Sequence, residues 1–336
     1  MTIATAPVDH VRSLADATFR TFIARRLDEL GFVGESHVTM LREALAPFLG
    51  ASGKRLRPLF VYWGHRAAGG RDDDLEAVLS AGCAVELVHT AALVLDDVMD
   101  QAELRRGHPS AHLTLAAHGG SARFGESAAT LVGMLALTWA DAALLDLGPR
   151  LAPALEVLNQ LRVEAVGGQL LDLSGTAPPL TVARYKSAKY TVERPLHLGH
   201  VLAGGDHGTR RLLSGYALPV GEAFQLRDDV LDVFGDPAVT GKPSGGDLRL
   251  RKNSLLLELA RTRAGADGEL LLETAGADIG QARELIRSCG ALDEVEARIA
   301  TLVKQGVGAL ENARGLAPDA VAALADLAVK ATRRER

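Results

Sequence analysis

The sequence predicts an all-α fold, and three observations lead there. Ala, Leu, Glu and Arg are abundant, β-branched clusters are few, and apolar residues recur at spacings of three and four along most of the 336 residues. No stretch alternates convincingly between apolar and polar residues, as a half-buried strand would. Two long apolar runs end in the same acidic pattern, Asp96-Asp97-Val98-Met99-Asp100 and Asp228-Asp229-Val230-Leu231-Asp232. The expected architecture is a single large helical bundle, one domain over residues 1–336, whose two acidic helix ends face a central cavity.

Glycine and proline punctuation sets the expected elements in order. Helices are expected over 8–30 and 36–48, parted by Gly31–Gly34, then over 55–68 after Gly50–Gly53. Gly69-Gly70 precedes the first acidic helix, 73–98, and a short segment at 110–118 and a long one at 121–146 follow. Gly148-Pro149, Gly175–Pro179 and Gly204–Gly208 separate 151–173, 180–203 and the second acidic helix, 208–233. Beyond the Gly-rich stretch Gly235–Asp247 come 252–262, 278–289, 293–312 and 317–333.

Composition narrows the function. A net charge of -5, with basic residues spread along the chain, argues against nucleic-acid binding. Met1 to Arg12 shows no basic-then-apolar signal pattern, and the uncharged run Ser127 to Ala140 is too short to span a bilayer, so no transmembrane segment is expected. Cys83 and Cys289 read as small core residues, which fits a reducing cytoplasm.

The acidic triplets carry the chemistry. In D-D-x-x-D the first and last carboxylates sit one turn apart on one helix face, near a helix C-terminus where the dipole already disfavours anions. Two carboxylates at 4 Å repel by roughly 4 kcal/mol at a surface-like dielectric, so a cation is expected to hold them. One triplet alone could be a solvated helix end; two with the same spacing point to a hard ion, magnesium, sharing its shell with a diphosphate.

Basic spots lie between the breaks. Ser52-Gly53-Lys54-Arg55-Leu56-Arg57-Pro58 is a glycine turn running into a helix, a plausible anion cradle. Arg105-Arg106-Gly107 leaves the first acidic helix, Lys186-Ser187-Ala188 opens a polar patch, and Thr240–Leu248 is a lysine-bearing loop with Lys252 beyond it. Alone, the first would read as an ordinary cationic helix start, the arginine pair as a surface salt-bridge pair, and the loop as ordinary surface. His89 stands two turns before Asp96 on roughly the same face.

Taken in order, these pieces resemble the trans-isoprenyl diphosphate synthases of the polyprenyl synthetase family. The match runs from about Lys54 to Lys252, with a likeness to bacterial geranylgeranyl-type enzymes. It rests on G-K-R-L-R-P at 53–58, E-L-V-H at 86–89, D-D-V-M-D at 96–100, R-R-G at 105–107, K-S-A at 186–188, A-F-Q-L-R-D-D-V-L-D at 223–232 and G-K-P-S-G-G-D-L at 241–248.

The resemblance implies an isoprenoid synthase-like bundle that joins isopentenyl diphosphate to an allylic diphosphate. Lys54, Arg57, His89 and Arg106 match residues that hold isopentenyl diphosphate; Arg105, Lys186 and Lys242 match residues on the allylic diphosphate. Asp96, Asp100 and Asp228 match direct magnesium ligands. Asp97, Asp229 and Asp232 match a supporting or water-mediated shell; with Asp232 counted for a water-mediated place, the candidate metal set is Asp96, Asp100, Asp228 and Asp232. Ser187 and Gln225 match groups facing the developing allylic cation, and Lys252 a lysine near the closing loop. The family usually forms homodimers.

Several positions depart from the family pattern. Ser187 replaces a commoner threonine, Arg251 a glycine, Leu95 a frequent histidine, and Met134 an aspartate after Gly133. For chain length, Ala91 and Ala92 stand one turn before Asp96 and Val88 two turns before it, with Met134 and Trp139 as an expected floor. That arrangement suggests a geranylgeranyl product. The alternatives are a farnesyl or longer-chain synthase, a class I terpene cyclase, in which Lys54, Arg57, His89 and Arg106 would have no purpose, and a non-catalytic synthase subunit.

Overall fold

The computed structural model describes residues 8–50, 54–236, 244–274, 279–311, 313 and 315–333. In chain order the helices are α1 (Val8–Asp28), α2 (Glu35–Leu49), α3 (Leu56–Ala67) and α4 (Leu75–Met99). A hairpin of β1 (Leu104–Arg105) and β2 (His108–Pro109) precedes α5 (Ala111–Gly119) and α6 (Ala122–Ala142). Then come α7 (Leu151–Ser174), α8 (Pro179–Val182), a π-helical stretch (Ala183–Glu193) and α9 (Arg194–Leu202). The remainder is α10 (His207–Phe234), the short α11 (Gly246–Arg249), α12 (Leu255–Thr274), α13 (Ile279–Ser288), α14 (Ala291–Glu311) and α15 (Pro318–Thr332).

The all-α expectation holds, and three details differ from it. The residues after the first triplet form a two-stranded hairpin, too short to leave an alternating pattern. The helix expected over 252–262 runs on to Thr274 across a kink at Gly265, where φ is +68°. The single helix expected over 180–203 is widened in its middle into the π-helical stretch Ala183–Glu193.

The chain forms two compact units, Met1–Leu158 with Pro195–Gly205, and Asn159–Arg194 with Asp206–Arg336. In the first, α4 is the central element. It packs against α1, α3, α5 and α6, and it buries residues on every side, from Val78, Ala81 and Val85 to Leu87, Val88, Ala91 and Val94. Among the described residues, Asp72–Met99 is the one helix long and apolar enough to cross a membrane on its own. Two-thirds of its apolar window is buried inside the protein, as befits a core helix. α6 starts at Ser121, whose hydroxyl accepts the Phe124 N–H at 3.1 Å, a cap worth about 1 kcal/mol.

In the second unit α10 plays the same part, packed by the π-helical stretch, α14 and α15. Its start is capped by Asp206, which accepts the Thr209 N–H at 2.7 Å. Leu226, Val230 and Val233 of α10 join Leu256, Ile286, Val295 and Ile299 in one apolar cluster. Tyr216, wholly buried, keeps its hydroxyl satisfied by donating to the Leu324 carbonyl at 2.7 Å. Each acidic triplet therefore lies at the C-terminal end of the most embedded helix of its unit.

Candidate active site

The first site forms around the C-terminal end of α4. Asp97 is fully buried, and burial pushes its carboxyl above the ordinary value; Arg105 opposes this by donating from Nε to both Asp97 oxygens at 3.1 Å and from Nη2 to Oδ1. The same guanidinium lies 3.9 Å from Asp96. The hairpin puts Arg105 there. Its register pairs Arg105 with His108 across Arg106-Gly107, whose φ values of +53° and +77° are what a type I′ two-residue turn requires. Gly107 takes that conformation freely, whereas Arg106 does so under strain of roughly 1–2 kcal/mol. R-R-G is thus a hairpin turn, and the two arginines part because the chain reverses between them.

A band of half-buried positions on α4 and at its C-cap includes His89, Ala92, Asp96 and Asp100, while Ala91 and Val88 are buried in packing. This corrects the expected chain-length pocket: Ala92 alone of the three shares an accessible face with the triplet. Met134 is corrected as well. It is 58% exposed and cannot serve as a floor within this chain, whereas Trp139 is buried. Leu95 lies where a side chain on Gly133 would fall, so the Gly133 position lets α6 pack against α4 there.

Four guanidiniums act on His89. Its imidazole is held well below the ordinary value, first by burial and then by Arg57, Arg106, Arg105 and Arg55, so it is neutral at physiological pH. Arg57 is buried, Arg106 donates to the Pro47 carbonyl at 3.3 Å, and Lys54 is exposed at the start of the segment. The arrangement concentrates positive potential on a group able both to donate and to accept a hydrogen bond. A diphosphate suits it.

The second site lies in the other unit. A pocket there is lined by Asp172, Lys186, Ser187, Gln225, Asp229, Asp247 and Lys252, among others. Ser187 donates to Gln225 Oε1, and Gln225 Nε2 donates to Asp229 at 2.7 Å. Lys186 Nζ donates to Asp172 at 2.6 Å, with Lys252 Nζ 3.8 Å from the same carboxylate. Two glycines produce this convergence. A side chain on Gly168 would meet the Lys186 backbone N at 2.2 Å, and one on Gly221 would meet Ala188 Cα at 2.6 Å. Asp172 and Gln225 each follow their glycine by one helical turn, so the close crossings deliver them to Lys186 and Ser187.

Asp229 has its carboxyl pushed well above the ordinary value, chiefly by burial, then by Asp247, against the opposing Gln225 hydrogen bond; Asp228 and Asp232 push it further. This crowd of oxygen donors fits a hard divalent cation. Asp97 answers Arg105, and Asp232 accepts the Asp247 N–H at 2.8 Å, so both suit the supporting role. Among the described residues, no three His, Cys, Asp or Glu side chains converge on one point by themselves. Magnesium keeps much of its shell for waters and phosphate oxygens, which a donor set of this size permits.

Lys242 and Gly53 lie outside the described residues. Arg251 adopts φ +51°, a left-handed conformation that a glycine would take without strain, which is what its departure from the family pattern amounts to. Sequence reasoning missed Asp172, signalled only by Gly167-Gly168-Gln169-x-x-Asp172, and Asp247, signalled by Gly245-Gly246-Asp247. It also missed that Arg55 is buried between its two exposed-looking neighbours.

An all-α chain with two D-D-x-x-D triplets, the first paired with Arg105 and the second beside a pocket that Lys186 and Lys252 also line, defines an enzyme that handles diphosphates. Residues 38–290 match the Polyprenyl synthetase family. The chain is similar to a geranylfarnesyl diphosphate synthase of Aeropyrum pernix, 32% identical over 74% of this chain and 80% of that one. It is also 31% identical to a (2E,6E)-farnesyl diphosphate synthase of Mycobacterium tuberculosis, over 92% and 83% respectively. A solved geranylgeranyl pyrophosphate synthase from Corynebacterium glutamicum, complexed with isoprenyl diphosphate and magnesium, superposes with a TM-score of 0.89 at 34% identity, covering 98% of this chain and 100% of that one. The chain belongs to the polyprenyl synthetase family and is one of its prenyltransferases.

Proposed function

We propose that this enzyme condenses isopentenyl diphosphate with an allylic diphosphate and releases geranylgeranyl diphosphate. The observation that carries the reading is the Arg57–His89–Arg106 cluster, because an enzyme ionising one diphosphate has no use for a second anion site. Asp96, Asp100 and Asp228, backed by Asp97, Asp229 and Asp232, would hold magnesium, which when bound neutralises charge on the departing diphosphate. By the family resemblance Arg105, Lys186 and Lys242 would hold that leaving group, and Lys252 corresponds to a lysine near the closing loop. Ser187 and Gln225, hydrogen-bonded to each other, match groups that would face the allylic cation. Lys54, Arg57, neutral His89 and Arg106 orient isopentenyl diphosphate for attack. The released diphosphate accepts the final proton, so His89 is left to bind and not to act as base.

The family match spans residues of both units, which supports one catalytic domain. Its two cysteines, buried Cys83 and half-buried Cys289, suit a reducing cytoplasm.

The two diphosphate sites should separate by mutation. Arg57→Ala or His89→Ala raises KM for isopentenyl diphosphate at least about tenfold more than KM for the primer, the loss of one charge-assisted hydrogen bond. Lys186→Ala does the reverse. Equal effects on both constants in steady-state assays would remove the assignment.

Product length follows from Ala92. Ala92→Phe fills the accessible face one turn before Asp96 and should shift the main product to farnesyl or geranyl length, read by chromatography with magnesium dependence unchanged. Ala91→Phe, overpacking a buried position, should cost about 1–3 kcal/mol of stability instead. An unshortened product from Ala92→Phe would reject this wall.

A homodimer is supported by α7, where Val163, Val166, Leu170 and Leu173 stand 54–71% exposed at helical spacing. Leu170→Glu should halve the mass seen by light scattering; a wild type already monomeric would refute the dimer.

A further inference from the structure

We infer that Asp16, on the N-terminal helix α1, is a positioning residue for the isopentenyl diphosphate site, acting through Arg55. This rests on the reading that Lys54 and Arg57 hold that substrate. Asp16 precedes residues 38–290, the part that matches the family, and no motif includes it.

Arg55 stands between the two substrate cations, and its backbone is left-handed, with φ +45° at the residue that opens α3. For a residue with a side chain that conformation is strained, so something must hold it. The side chain does. It is 4% exposed; Nε and Nη2 donate to Asp16 Oδ1 at 2.9 and 2.8 Å, Nη1 donates to Glu86 at 2.8 Å, and Nη2 also donates to the Phe48 carbonyl at 3.1 Å. The guanidinium carbon lies 4.7 Å from the centre of the Phe19 ring, also on α1. Burial alone would lower the Arg55 pKa, but Glu86 and Asp16 more than offset it, so the charge stays.

Lys54 and Arg57 flank this anchored residue by one and two positions. If Arg55 relaxed to a right-handed conformation, the chain entering α3 would change direction and both cations would move with it. Asp16 supplies two of the four donated bonds and one of the two countercharges. Its other oxygen pairs with Arg20 at 2.7 Å, which keeps the carboxylate aimed. Glu86, by contrast, sits within the first acidic helix, so Asp16 is the part of the clamp that comes from outside the matched residues.

The test compares Asp16→Asn, Asp16→Glu, Arg55→Met and the double variant Asp16→Asn/Arg55→Met with Arg57→Ala. Steady-state KM is measured separately for isopentenyl diphosphate and for farnesyl diphosphate, with Tm recorded for each variant. Asp16→Asn should raise KM for isopentenyl diphosphate about tenfold, equivalent to 1.4 kcal/mol, with kcat and the primer KM within about twofold. Asp16→Glu should recover part of that loss, and Asp16→Asn should add nothing further in the Arg55→Met background. If Arg57→Ala shows the selective effect and Asp16→Asn does not, or if Asp16→Asn changes Tm and both KM values alike, the positioning role is wrong while the site stands. If Arg57→Ala itself is unselective, the underlying site assignment fails.

Discussion

Asp96→Ala and Asp228→Ala should each lower kcat by about a hundred- to a thousandfold, the scale seen when one preorganised electrostatic group is removed from a charge-developing transition state. The fold should survive both. Each aspartate is only half-buried, and each stands among other carboxylates, so its removal relieves repulsion instead of opening the core. Circular dichroism and Tm without ligand therefore stay at wild-type values or rise slightly. Adding magnesium with inorganic diphosphate should raise the wild-type Tm by mass action and leave the variants nearly unmoved. Full turnover by the wild type in EDTA would contradict the metal assignment outright.

Gly168→Ala should lower stability markedly. The added methyl meets Lys186 N at 2.2 Å and Lys186 Cα at 2.5 Å, and backbone cannot rotate aside as a side chain can. Overpacking of this kind costs about 1–3 kcal/mol, and the obstacle places this case at the upper end. The cost should appear with a functional signature, because the displaced segment carries Lys186 and Ser187. A raised KM for the allylic primer is expected beside the lowered Tm. Gly308→Ala, in α14 with nothing near its added methyl, is the control and should gain up to about 1 kcal/mol from helix propensity. Equal Tm for wild type and Gly168→Ala would mean that the π-helical stretch is not pinned by this crossing.

Much of this was legible before the fold was known. Helix positions followed from glycine breaks and three-four periodicity because each helix buries one face and stops where Gly or Pro releases the chain. The acidic triplets were legible because carboxylates repeated at one-turn spacing have no local reason to exist. What sequence could not show were contacts set by distant chain segments. Arg55 looks like one more cation in a basic turn until Asp16, Glu86 and the Phe48 carbonyl close around it. Asp172 gains meaning only when Gly168 lets Lys186 approach. Ala91 and Ala92 are equivalent by type, and helix packing alone separates the buried one from the accessible one. Met134 failed as a floor for the same reason: size and helix position do not say which way a residue faces.

The most direct test of prenyl transfer is one incubation with radiolabelled isopentenyl diphosphate and farnesyl diphosphate, with and without magnesium, followed by product sizing. Labelled geranylgeranyl diphosphate formed only with magnesium is the predicted result. Consumption of farnesyl diphosphate without uptake of label would contradict the account, since the Arg57–His89–Arg106 cluster would then have no second diphosphate to bind.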